Sequence, residues 1–148
     1  MALNHERFKL IASVYLVLIQ DGKTLLSRRF QTGYEDGKYS LVAGHIDGRE
    51  TLRQALAREV REESGIVLYV EALDLSHTMH RWCGDHERLD FFFTAERFGG
   101  TIENREPEKC DEIAWFPLDA LPENTIDYIR VALRSCANGV LYSEYGWK

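Results

Sequence analysis

The chain has 148 residues, 45% hydrophobic and 28% charged, a balance that excludes disordered and fibrous classes and fits one globular domain spanning 1–148. Its formal net charge of −6 and the lack of a dense basic cluster argue against a nucleic-acid polymer as partner, unless a cation stands between the two. The three cysteines (Cys83, Cys110 and Cys136) are odd in number and have no paired spacing, so neither a zinc site nor a disulfide framework is indicated and a reducing cytoplasm is the expected compartment.

No repeat or linker divides the chain. The apolar run from Leu10 to Ile19 contains Ser13, is too short to span a bilayer and has no plausible cleavage site after it. It reads as a strand, and no membrane partner is expected. Asp21-Gly22 is a hairpin turn signal that returns the chain through a second strand, Lys23 to Phe30. QTGYEDGKYS is a loop, and Tyr39 to Val42 is a short strand running into Ala43-Gly44.

Thr51 opens a helix, with Gln54 placed to complete a capping box and Gly65 to end it, so the helix is expected over Leu52 to Ser64. Ile66 to Leu75, Leu89 to Ala95 and Asp111 to Phe116 read as strands, and Ile126 to Ala137 as a second helix stopped by Asn138-Gly139. Strands with two irregularly spaced helices predict an α/β class built on a mixed sheet rather than a regular βαβ repeat.

The first helix carries an anomaly. On a wheel of 100° per residue with Leu52 at zero, Leu56 and Val60 fall near about 40° and 80° and define the apolar stripe. Glu59 and Glu63 fall near about −20° and 20°, on that stripe, with Glu62 near about −80°. Carboxylates spaced i, i+4 repel, and burial raises the cost. Either their pKa values rise until a proton is shared, or a cation holds them. Three hard oxygen donors within one turn suit Mg²⁺, with Mn²⁺ an alternative. The plain reading of REVREE is a solvated charged face with an Arg58–Glu62 pair, which the stripe geometry disfavours.

From Gly44 the sequence reads G, five residues, Glu50, seven residues, then R-E-V-R-E-E-S-G-I. This matches the Nudix box, G-x5-E-x7-R-E-U-x-E-E-x-G-U with U aliphatic, at nine specified positions over residues 44–66, and the surrounding elements resemble the rest of that family's domain. The resemblance implies a single-domain Nudix α/β/α sandwich that hydrolyses a nucleoside diphosphate linked to another group. It implies Glu59 and Glu63 as main cation ligands and Glu62 as a ligand or as the group that positions and deprotonates water. It also implies Glu50 as an outer ligand, Arg58 as the residue orienting the glutamates, and the Gly44 carbonyl at the metal. Two departures, Leu41-Val42-Ala43 in place of a frequent Leu-Pro and Arg49 in place of a second glycine, lie at unspecified positions.

Residues 104–122 resemble a triphosphate-cleaving subgroup, which would make Glu108 an extra base or ligand; the plain reading is a solvated loop acid. The same alignment favours Arg29 over Arg28 as a phosphate or base contact, with Tyr34, Asp36 and Tyr39 in a loop beside the pocket. The segment SHTMHRWCGDHERLDFFF could line a base pocket, with His80 and Arg81 the chosen contacts, or be a polar hairpin loop. The expected activity is Mg²⁺-dependent cleavage of (deoxy)nucleoside triphosphates, oxidised or modified ones included, to monophosphate and pyrophosphate. The alternatives are an ADP-ribose or nucleotide-sugar pyrophosphatase and a non-catalytic nucleotide sensor. The expected partner is a small-molecule nucleotide, and relatives leave a homodimer open.

Overall fold

Strand β1 (Ile11–Val17) is sealed on both faces, and the rest of the molecule is organised around it. In this computed structural model, which describes residues 6–148, Val14 and Leu16 point into one core and Tyr15 and Val17 into another. Side chains alternate across a strand, so a strand buried on both faces reads as an unbroken apolar run. That accounts for the sequence from Ser13 to Leu18. The residues preceding position 6, where a leader would begin, lie outside the described part. Among the described residues no helix is long and apolar enough to cross a membrane.

After β1 come β2 (Ile19–Gln20), β3 (Lys23–Arg29), β4 (Tyr39–Ser40) and β5 (Ala43–His45), then helix α1 (Leu52–Ser64). Strand β6 (Ile66–Leu68) and a single 3₁₀ turn lead to β7 (Leu73–Trp82), β8 (Glu87–Ala95), β9 (Phe98–Gly100) and β10 (Cys110–Pro117). Helix α2 (Asp127–Ala137) and β11 (Tyr142–Tyr145) complete the order. The main sheet runs β11-β7-β8-β1-β5 and mixes parallel pairs (β11 with β7, β1 with β8) with antiparallel ones. A second sheet runs β10-β3-β2, with β4 on β3. Helix α1 covers one core through Ala55, Leu56 and Val60, and α2 covers the other through Ile129, Ala132 and Leu133. The result is a mixed α/β sandwich with a helix on each face of the main sheet.

The caps of α1 fall where the sequence places them. Thr51 Oγ1 accepts from the Gln54 amide at 3.1 Å, Gln54 Oε1 accepts from the Thr51 amide at 2.9 Å, and Gly65 takes the left-handed conformation at φ 75°.

Three expectations change. The strand expected over Ile66 to Leu75 is broken by the 3₁₀ turn Val70–Ala72. The polar stretch after Ser76 is mostly sheet: β7 and β8 consume all of it except a tight turn closed by the Cys83 amide on the His86 carbonyl at 2.9 Å. Pairing between long strands overrides the local polarity. Finally, the strand expected over Tyr39 to Val42 is two strands in different sheets, β4 on β3 and β5 on β1, and the chain crosses between them at Leu41-Val42.

Candidate active site

That crossing positions the site. Gly44 sits opposite Val14 in the β1–β5 pair, and the side of its backbone without a side chain faces helix α1. A Cβ there would lie 2.2 Å from Glu59 Cγ, so any larger residue would push the Glu59 side chain out of its present position. Gly65 is held by a second close approach. Its φ is left-handed, and a Cβ would meet the Thr101 carbonyl oxygen at 2.7 Å. The strand-to-strand loop after β9 therefore crosses directly over the end of α1. It is tied there by the Glu103 amide on the Ser64 carbonyl (2.9 Å) and the Arg105 amide on the Glu63 carbonyl (3.0 Å).

This docking delivers a carboxylate that the sequence reading missed. Glu106 lines the same cavity as Glu59, Glu62 and Glu63, whereas Glu108 is exposed and outside it. The expectation for Glu108 is thus corrected in favour of Glu106. The Glu106 carbonyl accepts from both the Lys109 and Cys110 amides at 2.9 Å, so the chain makes a helical turn here and residues two apart point away from each other. Asn104 braces the loop by accepting from the Glu106 amide at 3.0 Å and donating to the Cys110 carbonyl. The only trace in the sequence is a second acid two residues before the one the alignment favours.

The two stripe glutamates are on the packed side, as the wheel places them. Burial first, then the charges of Glu106 and Glu59, push the Glu63 carboxyl up to about 8; the Ala43 amide acts weakly the other way. At neutral pH, without a cation, Glu63 therefore holds a proton. Glu59 instead turns to Arg58, whose Nη1–H donates to its carboxylate at 2.6 Å. Arg58 is the brace of the group: its Nε and Nη2 donate to both oxygens of Glu50 (3.1 and 2.7 Å), and Nη2 also donates to the His45 carbonyl. The Arg58 guanidinium and the Asp47 amide hold the Glu50 carboxyl below its ordinary pKa. Glu50 and Arg58 are not in the cavity lining; they stand one step behind it. Glu62 is 60% exposed, 3.7 Å from Arg58 Nη1.

The cavity, about 1230 Å³, runs from these carboxylates to the loop after β3. Arg29 and Tyr34 both line it, but Arg29 is engaged locally, donating to the Tyr34 carbonyl (2.6 Å) and to Thr32 Oγ1 (3.1 Å) while lying over the Tyr34 ring at 5.3 Å. Arg28 also lines the cavity, paired with Asp111 at 2.7 Å. Asp36 closes the loop by accepting from Thr32 and from the Gly33 amide, and those bonds hold its pKa low. Arg81 is on the floor, buried, donating to Asp90 at 2.7 Å with its guanidinium 3.7 Å from the centre of the Tyr128 ring. Tyr15 completes this layer through Tyr128 Oη at 3.0 Å. His80 is not in the cavity. Neighbours on a strand face opposite ways, and His80 is paired with Glu87 at 2.8 Å and packed against Trp147. His77 is buried between the Val140 carbonyl and Ser143 Oγ, a structural role.

A cation fits the donor set. The carboxylates of Glu59 and Glu106 stand close enough to Glu63 to raise its proton affinity, a repulsion that a divalent ion bound by these hard oxygens relieves. Among the described residues no three His, Cys, Asp or Glu side chains already stand as a cage, and Glu59 is turned to Arg58.

The NUDIX domain family model matches residues 9–134, and the chain belongs to that family of hydrolases, which act on phosphorus-containing anhydrides and generally use divalent metal ions. It is 32% identical over 117 residues to an NAD-capped RNA hydrolase NudC of Stutzerimonas stutzeri, covering 79% of this chain and 40% of that protein. It is 31% identical over 111 residues to an oxidized purine nucleoside triphosphate hydrolase of Danio rerio, covering 72% of this chain and 66% of that one. A MutT NUDIX hydrolase structure from Burkholderia pseudomallei superposes with a TM-score of 0.78 at 26% identity, covering 86% of this chain and 98% of that one. The chain thus spans about two-fifths of the length of the NudC proteins it matches.

Proposed function

We propose that this chain is a Mg²⁺-dependent pyrophosphohydrolase that cleaves (deoxy)nucleoside triphosphates, oxidised or otherwise modified ones included, to the monophosphate and pyrophosphate. The observation that carries it is the convergence of Glu59, Glu62, Glu63 and Glu106 at one end of a nucleotide-sized cavity whose other walls carry arginines and aromatic rings. A likeness to the triphosphate hydrolase of Danio rerio over most of this chain supports the substrate class.

Glu59, Glu63 and Glu106 would hold the cation, with the Gly44 carbonyl as a further donor. When bound, Mg²⁺ neutralises phosphate oxygens and makes a coordinated water more acidic. Glu62, free of the core and next to Arg58, is the general base, its carboxylate taking the proton of an attacking water. Arg58 and Glu50 fix the rotamers of the acids and keep β5 against the helix. The Arg29–Tyr34 stack and the Arg81–Tyr128 floor provide planar surfaces for the nucleoside.

A second reading, hydrolysis of the diphosphate in an NAD-type dinucleotide or cap, is favoured by the cavity's size. Its volume of about 1230 Å³ exceeds the roughly 300–1,000 Å³ of a pocket for one drug-sized ligand. Product chromatography with Mg²⁺ across canonical and oxidised triphosphates, NAD, ADP-ribose and nucleotide sugars separates the readings. Monophosphate and pyrophosphate from triphosphates, lost in Glu62→Gln, is the expected result. Faster cleavage of NAD or ADP-ribose than of every triphosphate overturns it.

A further inference from the structure

The cavity face of the main sheet carries a positive charge that the protein does not neutralise. Register places Arg81 and Arg88 directly opposite each other on β7 and β8, an arrangement of like charges that is destabilising unless an anion intervenes. Asp90, fully buried, accepts from Arg81 Nε at 2.7 Å and balances that guanidinium. Arg88 has no such partner: among the described residues, no carboxylate lies within ion-pair distance of it.

Neutral groups hold it instead. Its Nε–H donates to His86 Nε2 at 3.1 Å, and its Nη1–H donates to Ser13 Oγ and His45 Nε2, each at 3.1 Å. A guanidinium can only donate, so each ring nitrogen facing it is an acceptor and neither contact brings a negative charge to Arg88. Asp85 is bound to the other ring nitrogen of His86 at 2.5 Å and its side chain is 87% exposed. Three bonds therefore fix the guanidinium without discharging it, and Nη2 has no partner among the described residues. Arg88, Ser13, His45 and His86 all line the cavity, and His45 directly follows the glycine packed on Glu59.

We propose that Arg88 is a phosphate-binding residue: Nη2–H donates to a nonbridging oxygen of a substrate phosphate within the cavity it shares with the carboxylate cluster, with Ser13, His45 and His86 as positioning residues. The inference rests on reading the cavity as a phosphoanhydride-cleaving site. A guanidinium suits the task because it stays charged and its donors sit in a fixed planar fork. Because it lines the same cavity as the acids, its charge offsets part of the repulsion that an incoming polyphosphate meets there. It also favours substrates that offer a second phosphate beyond the one held at the carboxylates.

The test is calorimetric titration of inorganic pyrophosphate, with Mg²⁺, and separately of free nucleosides, into wild type, Arg88→Gln and Arg88→Lys. Loss of one charge-assisted hydrogen bond predicts pyrophosphate affinity at least about 10-fold weaker in Arg88→Gln, intermediate in Arg88→Lys, with nucleoside affinity unchanged. A purely structural staple between β1, β5 and β8 predicts that both ligands weaken together, and that result overturns the proposal. Equal pyrophosphate affinity in wild type and Arg88→Gln, or no pyrophosphate binding by wild type, overturns it as well. Triphosphate turnover is scored separately. If no triphosphate is cleaved, the proposed function falls while the pyrophosphate comparison still decides Arg88.

Discussion

Glu63→Gln should make the cation-free protein more stable, by an amount that depends on pH. In the folded chain the Glu63 carboxyl titrates at about 8 against an ordinary value of 4.5, chiefly because it is buried and secondly because Glu106 and Glu59 face it. An unfolded chain releases this proton as pH rises through its ordinary value, while the folded chain keeps it until about 8. A raised carboxyl pKa therefore contributes most favourably below 4.5 and costs progressively more stability between 4.5 and 8. At about 1.36 kcal/mol per unit, the full separation amounts to roughly 5 kcal/mol. Glutamine fills nearly the same space without the titration, so the difference should be small at pH 5 and close to its full size at pH 8.5. For a domain of this size that is a rise in Tm on the order of 10 °C at the higher pH. The assay is thermal denaturation of both proteins in EDTA at pH 5 and 8.5, repeated with Mg²⁺. The cation should stabilise wild type more than the variant. A variant advantage that is the same at both pH values, or a wild type as stable as the variant at pH 8.5 in EDTA, would refute the reasoning.

Glu106→Gln should lower turnover by about 10²-fold or more while Glu108→Gln leaves it within a factor of two or so, the range of an exposed side chain; steady-state rates at saturating Mg²⁺ decide, and equal losses would count against the corrected assignment. Gly65→Ala should cost more than about 1 kcal/mol, because it combines a left-handed φ with a 2.7 Å approach to the Thr101 carbonyl; urea denaturation with an unchanged midpoint would contradict it. Asp90→Asn should destabilise by about 3–5 kcal/mol by leaving Arg81 buried beside a neutral group; a loss below about 1 kcal/mol in the same assay would show that Tyr128 alone supports the guanidinium.

Legibility tracked how local each signal was. Helix α1, its capping box and its glycine stop depend on contacts within a few residues, and Leu52–Ser64 is where the sequence puts it. The placement of Glu59 and Glu63 on the packed stripe was equally readable, since a helical wheel needs only the period. Strands β9 and β11 went unread because they are short and carry glycine or alternate polar residues, Phe98–Gly100 and Tyr142–Tyr145. Only pairing with β6 and β7, far away in sequence, makes them strands. His80 and Arg81 were read as one pocket wall, although adjacent strand residues face opposite ways once β7 is known to extend that far. Glu106 and Arg88 depend respectively on a loop docked by backbone bonds and on three strands meeting side by side. Neither leaves a local pattern.

The change of sheet at Leu41-Val42 makes the cavity a seam rather than a hole within one sheet. Arg28 and Arg29 stand on the sheet of β3, and Gly44 and Ser13 on the sheet of β1. The two plates are joined here by a pair of buried aliphatic side chains, 3% and 4% exposed. A small shift at that joint would alter the spacing between the wall proposed to grip the nucleoside and the carboxylate end. Under the proposed function, specificity would be adjustable from the core, by swapping one aliphatic for another at position 41 or 42, with every proposed substrate contact left in place.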